Sequence, residues 1–279
     1  MFNKIKSHAK INLALNITGK SKSLHKIESI VAFVELHDEI YIKKTNKLNH
    51  QIAFFGKFSN DINSNNTVSK LLKILDDRNL LKTKFHIKIN KRIPSKSGLG
   101  GGSMNAANIL KYFLKKKIIK ISNDQVLKIS KSIGEDVILG LNSSYLILNS
   151  KNVVRQFKGC KNFFTLIIKP NFGCSTKEIY SKVRKFERSK FNKPNKRMFD
   201  YKFLTKMHNS LEPIALSKYP KLKKIKSFLE SLSKPLFVRM TGSGSAIVAY
   251  FLTKKDCNKS MIEFRKEYKK YWCISSKTI

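Results

Sequence analysis

Residues 94–107 read PSKSGLGGGSMNAA, and four of the five positions from 98 to 102 are glycine. Just before this stretch, residues 85–89 alternate apolar and polar, which predicts a half-buried strand. After it, apolar residues recur at helical spacing over 106–114, and Ser103 is predicted to cap that helix. A strand, a glycine loop and a helix N-terminus form an anion site, because free N–H groups and the helix dipole point at the loop. The stretch predicts a phosphate-binding loop.

This loop does not match the common nucleotide-binding signatures. No Gly-x-x-x-x-Gly-Lys-Ser/Thr sequence occurs in the chain, and the His-Arg-Asp sequence of protein kinases is also missing. Gly98, Gly100 and Ser103 come one residue short of the dinucleotide fingerprint, which normally opens a βαβ unit. The loop resembles instead the second motif of the GHMP kinases, which reads roughly Pro-x-x-x-Gly-Leu-Gly-x-Ser-Ser-Ala.

Length and composition predict a folded protein of about two domains. The chain has 279 residues, of which 41% are hydrophobic and 10% aromatic. The composition changes near residue 150, so we predict a domain over 1–154 and a second over 155–279. No membrane-length apolar run or signal sequence is evident, and the four cysteines show no metal-binding spacing. We therefore expect a cytoplasmic protein with reduced thiols and no membrane partner.

The net charge of +39 raises the possibility of a nucleic-acid binder. However, almost all of the 57 basic residues are lysines, and they are scattered along the chain. Arginine is the usual residue for bidentate recognition of phosphates and bases, and no nucleic-acid-binding signature is present. We expect no specific nucleic-acid partner.

The first strand of the chain carries polar residues on one face. Residues 11–17 alternate with period two, so Lys10 and Asn12 share the face opposite the apolar row. A strand lysine is most often solvated, but the sequence around it resembles the opening motif of one branch of the GHMP kinases. In that branch the lysine lies at the reaction centre, and the asparagine lines the substrate site. His25 matches the next family element, in which Leu24 replaces a tyrosine and Ser23 a glycine.

Two acidic residues follow a predicted helix over 125–133 that ends at Gly134. They are ordinarily surface turn residues, but the apolar run after Asp136 places at least one carboxylate near a core, where it needs a partner. Lys10 is the expected partner of Asp136. The segment also resembles the family's Gly-Ala/Ser-Asp-Val/Ile-Pro element, with Ile138 in place of the proline.

Further matches follow along the whole chain. Asn66 matches a family asparagine near the adenine pocket, although by itself it would be a helix N-cap. Tyr180 matches the aromatic residue that stacks on cytosine, and a core aromatic on a helix is the equal alternative. The third family motif is present as Thr241, Gly242 and Ser243, followed by an apolar strand.

The resemblance implies an α+β fold of two lobes, the first like ribosomal protein S5 domain 2 and the second ferredoxin-like. It implies transfer of the γ-phosphoryl group of ATP, with Mg²⁺, to a small-molecule substrate: a methylerythritol linked to cytidine diphosphate. Lys10 and Asp136 would be catalytic, and Ser103 a possible Mg²⁺ ligand. ATP would contact Asn66, Pro94, Lys96, Ser97, Gly98, Leu99, Gly100, Gly101, Gly102, Ser103 and Asn105. The substrate would contact Asn12, Leu24, His25, Tyr180, Thr241, Gly242 and Ser243.

Two alternatives stay open at this stage. Another GHMP kinase, of the homoserine or mevalonate type, would keep all three motifs but not the set of Lys10, Asn12 and His25. A nucleic-acid-binding protein on an S5-like fold would keep the charge but would not need Asp136. Either a monomer or a homodimer is compatible with the sequence.

Local patterns predict two further features of the fold. Residues 30–42 read as a β-hairpin whose polar turn is Asp38 and Glu39. Residues 181–202 are strongly basic and predict a solvated helix and loop.

Overall fold

The structure is a computed structural model that describes residues 1–21, 24–60, 62–142 and 144–279, so Ser23 lies outside the described residues. The strands are β1 (Asn3–Ser21), β2 (Leu24–Thr45), β3 (Gln51–Phe55), β4 (Lys84–Asn90), β5 (Tyr145–Leu148), β6 (Val154–Phe157), β7 (Phe164–Lys169), β8 (Phe237–Met240), β9 (Ile247–Phe251) and β10 (Trp272–Lys277). The helices are α1 (Thr67–Asp77), α2 (Gly101–Lys115), α3 (Asn123–Ile133), α4 (Val137–Gly140), α5 (Thr176–Ser181), α6 (Tyr201–Leu204), α7 (Glu212–Lys218), α8 (Pro220–Ser231) and α9 (Lys254–Glu267). A 3₁₀ turn spans Lys196–Phe199. In the described ranges, no helix is both long and apolar enough to span a membrane.

The chain forms two compact units that are interleaved in sequence. The first unit comprises residues 1–9, 36–95 and 100–143, and the second comprises residues 10–35, 96–99 and 144–279. Strands β1 and β2 therefore each contribute one part to each unit. The domain boundary at residue 154 stays a prediction.

The first unit packs three helices on a small mixed sheet. Strand β4 pairs antiparallel with the second half of β2, from Glu39 opposite Asn90 to Thr45 opposite Lys84, and parallel with β3. Helices α1, α2 and α3 bury apolar faces in one core with these strands. The predicted strand before the glycine loop is confirmed as β4, and the helix after it as α2. Helix α3 ends at Gly134, as its spacing predicts.

The second unit contains a four-stranded antiparallel sheet in the order β10-β7-β9-β8. Helices lie between β7 and β8 and between β9 and β10, which together with this strand order is the ferredoxin-like arrangement. Strand β5 pairs antiparallel with β6 and with the first half of β2. Apolar residues of the sheet and of helices α7, α8 and α9 form the core. The ferredoxin-like expectation is confirmed.

The hairpin prediction for residues 30–42 is wrong, because β2 continues through Asp38 without a turn. The Asp38 carboxylate is fully buried and accepts hydrogen bonds from the backbone N–H groups of Arg92 (2.8 Å) and Ile93 (2.9 Å). It also forms an ion pair with the buried ammonium of Lys91. These partners come from the segment that leads into the glycine loop, so they satisfy a charge that would otherwise favour a surface turn.

Of the solvated helix and loop predicted over residues 181–202, the loop is confirmed and the helix is wrong. Helix α5 ends at Ser181, and an irregular segment follows until the 3₁₀ turn. Phe191 and Phe199 are almost completely buried, so the segment contributes to the interior despite its positive charge. Burial of these aromatic side chains outweighs the local helical preference.

We expect Asp38→Ala to lower the free energy of unfolding by about 3–5 kcal/mol, because the substitution leaves the ammonium of Lys91 buried without its carboxylate. Urea unfolding measures this change. The control is Glu230→Ala, which removes a half-exposed carboxylate 2.5 Å from Lys226 and is expected to cost less than about 1 kcal/mol. Equal losses in the two variants would show that the buried pair of Asp38 and Lys91 contributes no more to stability than an exposed ion pair.

Candidate active site

The glycine loop leads directly into helix α2. Gly100 is the N-cap residue and has a left-handed φ of 70°, and among the described residues no side chain caps the helix. The predicted capping by Ser103 is wrong, because the turn at Gly100 starts the helix early enough to place Ser103 inside its first turn. The N–H groups of Gly101, Gly102 and Ser103 cannot bond within the helix, so together with the dipole they suit an anion.

Helix α1 contacts the other side of the loop within the first unit. The hydroxyl of Thr67 donates to the carbonyl of Gly102 at 2.7 Å. The side chain of Asn66 caps α1, accepting from the N–H groups of Val68 (3.0 Å) and Ser69 (3.1 Å). Asn66 is therefore an N-cap, and its contact with adenine stays a prediction.

A buried polar group lies behind the loop. The amide nitrogen of Asn105 donates to Asp38 at 3.0 Å, while its buried Oδ1 has no hydrogen-bond partner among the described residues. The same carboxylate holds residues 91–93, so Asp38 links the segment before the loop to the helix after it. Sequence reasoning missed this role because it assigned Asp38 to a turn.

The start of the loop, residues 96–99, belongs to the second unit. The carbonyl of Ser97 accepts from the N–H of Ala246 at 3.0 Å, and that of Lys96 from the N–H of Ser245 at 3.4 Å. Gly98 has a φ of 77°, and a β-carbon there would lie 2.0 Å from the carbonyl oxygen of Thr241. The second and third sequence motifs are thus in direct backbone contact, and only glycine fits at position 98.

The polar face of β1 is hydrogen-bonded to Thr241 in the third sequence motif. The ammonium of Lys10 donates to Oδ1 of Asn12 at 2.7 Å, and the backbone N–H of Asn12 donates to the hydroxyl of Thr241 at 3.0 Å. Nδ2 of Asn12 donates to the hydroxyl of Ser29 at 2.8 Å, which fixes the amide orientation. Lys10 and Asn12 are almost completely buried, so the lysine is not a solvated surface residue.

The third motif is held by a second asparagine. Nδ2 of Asn209 donates to the carbonyls of Met240 and Gly242, each at 2.8 Å. The hydroxyl of Ser243 lies 2.9 Å from that of Thr176. Asn209 is not among the site residues that the sequence predicts. Because the carbonyls that it binds lie on either side of Thr241, Asn209 helps to hold the buried turn of the third motif in place.

His25 lies near two aromatic rings of the second unit, those of Tyr180 and Phe186, and we call these three rings the aromatic corner. The ring centroids of His25 and Tyr180 are 5.2 Å apart, and those of His25 and Phe186 are 6.4 Å apart. Leu24, which precedes His25 in β2, is 60% exposed. Burial, followed by the positive charge of Lys20, lowers the pKa of His25, so its imidazole is neutral at pH 7. A neutral imidazole offers one hydrogen-bond donor and one acceptor. Tyr180 is also partly buried against the core, and its substrate contact stays a prediction.

Asp136 lies in the first unit at the start of α4, directly after Gly134 and Glu135. Its side chain is half-buried, whereas that of Glu135 is exposed. Asp136 rather than Glu135 is therefore the carboxylate near a core. The predicted pairing of Asp136 with Lys10 stays a prediction.

Comparisons with known proteins agree with these motifs. Family models match twice: "GHMP kinases N terminal domain" over residues 66–146 and "GHMP kinases C terminal" over residues 191–259. A 4-diphosphocytidyl-2-C-methyl-D-erythritol kinase of Pelagibacter ubique is 54% identical over 277 residues, covering 99% of both chains. The enzyme of that name from Clostridium perfringens is 32% identical over 256 residues, covering 89% of this chain and 88% of its own.

A crystal structure of 4-(cytidine 5'-diphospho)-2C-methyl-D-erythritol kinase superposes with a TM-score of 0.80 at 19% identity, covering 99% of both chains. This likeness confirms the fold. The chain belongs to the GHMP kinase family and has its α+β, two-domain fold. Within that family, it resembles the 4-diphosphocytidyl-2-C-methyl-D-erythritol kinases over its full length.

We expect Gly98→Ala to destabilise the protein by roughly 1–3 kcal/mol, because the new methyl group would overlap the carbonyl of Thr241. The matched control is Gly19→Ala, where the β-carbon would meet, among the described residues, only the flexible side chain of Lys26 at 3.7 Å. That control is expected to stay within about 0.5 kcal/mol of the parent protein in thermal or urea unfolding. A tolerated alanine at position 98 would show that the backbone contact is not required.

Proposed function

We propose that this protein transfers the γ-phosphoryl group of ATP to the 2-hydroxyl of 4-diphosphocytidyl-2-C-methyl-D-erythritol. The observation that carries the proposal is the full-length identity of 54% to a kinase named for that substrate. The joined motifs around Gly98, Thr241, Asn12 and Lys10 support it, because phosphoryl transfer depends mainly on positioning and charge stabilisation.

The triphosphate of ATP is proposed to bind at the glycine loop. Residues 94 and 96–103 would surround the phosphates, with the free N–H groups at the start of α2 as donors. The support from Asp38 behind the loop keeps these donors in place before ATP binds, which reduces the entropy lost on binding. Asn66 and Asn105 border this region from α1 and α2.

The residues at the loop also fit a Mg²⁺ ion bound together with ATP. Among the described residues, no cluster of three acidic, histidine or cysteine side chains forms a dedicated metal site. Mg²⁺ usually takes its oxygen ligands from phosphates, water and one or two protein groups, and the Ser103 hydroxyl in the first turn of α2 is such a group. When bound, the ion neutralises charge on the phosphate oxygens.

Asp136 is the proposed general base and Lys10 its electrostatic partner. A carboxylate can accept the proton of the attacking hydroxyl if it lies within hydrogen-bond reach. Lys10 is suited to stabilise developing negative charge, since its ammonium is removed from bulk water and oriented by Asn12. Thr241, Gly242 and Ser243 would contact the substrate beside this lysine.

We expect Asp136→Asn to lower kcat by roughly 10²–10⁴, because the substitution keeps the side-chain volume but removes the base. The Kd for ATP should change little. Steady-state kinetics and ATP titration measure the two effects, and Glu135→Gln is the matched control that should leave both unchanged.

Lys10→Ala should lower kcat similarly, and the double variant should be little slower than either single one, because residues that act as a unit are not additive. Near-normal turnover by Asp136→Asn would remove this residue from the mechanism. Fully additive losses would separate Lys10 from Asp136.

The aromatic corner is the proposed site of the cytosine base. His25 offers a donor and an acceptor to the base edge, and Tyr180 offers a stacking face. A site with buried polar groups rejects ligands that leave those groups unpaired, which is the basis for selecting a cytidine-bearing substrate. Leu24 can contact the base but provides no aromatic surface.

The acceptor is tested by offering 4-diphosphocytidyl-2-C-methyl-D-erythritol, homoserine and mevalonate in parallel with Mg-ATP. We expect turnover only with the first, measured as release of ADP and formation of a phosphorylated product. A preference for homoserine or mevalonate would overturn the substrate assignment and leave the family assignment standing. Turnover with none of the three would contradict the kinase proposal.

A further inference from the structure

Phe186 is a large apolar residue that is about half exposed. Its side chain is 49% exposed, although it lies only five residues before the fully buried Phe191 in the same irregular segment. Exposure of an isolated apolar side chain is common and needs no explanation. Here, however, the ring has a specific neighbour, His25, at a centroid distance of 6.4 Å and an interplanar angle of 50°.

His25 is flanked by aromatic rings from two different segments. Tyr180 on α5 is 5.2 Å away at 48°, so the two rings approach the imidazole at similar tilts. Both distances lie in the range of favourable aromatic pairs. These rings form a half-open aromatic corner around one polar ring, which is the composition of a binding site for a flat heterocycle.

The segment that carries Phe186 is held tightly despite having no helix or strand. The fully buried carboxylate of Glu28 accepts hydrogen bonds from the hydroxyl of Ser189 (2.6 Å) and from the N–H groups of Lys190 (2.7 Å) and Phe191 (3.0 Å). It also accepts from Nδ2 of Asn16 at 2.9 Å. A buried carboxylate with four donors is a strong constraint on the backbone that it binds.

A second attachment lies directly beside Phe186. The N–H of Glu187 donates to the carbonyl of Ile17 at 2.8 Å. The carboxylate of Glu187 contacts the hydroxyl of Ser210 and, at 2.6 Å, Nε2 of His208. The backbone next to Phe186 is therefore fixed at Glu187, and the ring of Phe186 lies near that of His25. The position of Phe186 is thus set by the fold.

We propose that Phe186 forms the outer wall of the cytosine subsite, opposite Tyr180, and that Glu28 is a positioning residue that sets this wall. The inference rests on the proposed function, since it assigns a part of the substrate to this corner. A pyrimidine presents two π-faces, and aromatic side chains stack on such faces whatever the base. Phe186 supplies the aromatic surface that Leu24 does not.

The test compares Phe186→Ala with Phe186→Tyr and with Phe55→Ala. Phe55 is the matched control: it is 44% exposed, lies on β3 in the first unit and also has one aromatic neighbour. For Phe186→Ala we expect KM for the cytidine substrate to rise about 3- to 10-fold, with kcat and the KM for ATP unchanged. Phe186→Tyr keeps an aromatic ring and should raise this KM less than Phe186→Ala does, whereas Phe55→Ala should behave like the parent protein.

Binding of cytidine diphosphate by calorimetry gives a readout that does not require turnover. A raised Kd for cytidine diphosphate in Phe186→Ala, but not in Phe55→Ala, supports the proposal. An unchanged KM or Kd in that variant overturns it, and if the parent still phosphorylates the cytidine substrate, the proposed function stands without it. If the parent neither turns over the substrate nor binds cytidine diphosphate, both proposals fall.

The role of Glu28 is tested through its coupling to Phe186. Glu28→Gln and the milder Ser189→Ala should each raise KM for the cytidine substrate and leave kcat unchanged. Combined with Phe186→Ala, neither should raise KM further, because the ring through which they act is already gone. A merely structural effect would instead lower thermal stability and add to the KM of Phe186→Ala, which would overturn the positioning role.

Discussion

The close backbone approach of Gly98 to Thr241 is the constraint on which the second unit's part of the site depends. Because the carbonyl of Thr241 occupies the space where a side chain would begin, the glycine loop and the third motif meet without an intervening layer. The hydroxyl of Thr241 accepts a hydrogen bond from the N–H of Asn12, whose side chain in turn orients Lys10. One backbone contact thus connects three motifs that are far apart in sequence.

Features set by short-range rules could be predicted from the sequence. Alternation along β1 places Lys10 and Asn12 on one face, because successive side chains of a strand point to opposite sides. The observed Nζ–Oδ1 distance of 2.7 Å confirms this. Gly134 ends α3 for an equally local reason.

Features set by distant partners could not be predicted in this way. Asp38 looked like a turn residue because a charged side chain usually lies in water, but Lys91 and its neighbours, 53 to 55 residues away, accommodate it inside a strand. Ser103 looked like a cap because its residue type favours that position, yet the backbone of Gly100 starts the helix before it. Both errors come from applying residue preferences where tertiary contacts decide.

The acidic residues of this strongly basic chain have a recurring structural use. The chain has only 18 of them against 57 basic residues. Three of them bind backbone N–H groups of other segments: Asp38 holds residues 92 and 93, Glu28 holds residues 190 and 191, and Glu212 accepts from Met240 at 2.5 Å. Burial separates the carboxylates of Asp38 and Glu28 from the many surface lysines, and Asp38 combines its backbone donors with the ammonium of one buried lysine, Lys91.

The interleaving of the two units also bears on how the protein is made. Residues 10–35 are synthesised before residues 144–279, which supply the remaining strands and helices of the unit to which they belong. At about 5–20 residues per second, synthesis of those later residues takes many seconds, during which an apolar strand such as β1 lacks its final neighbours. Residues 10–35 are therefore synthesised well before the strands and helices that complete their unit.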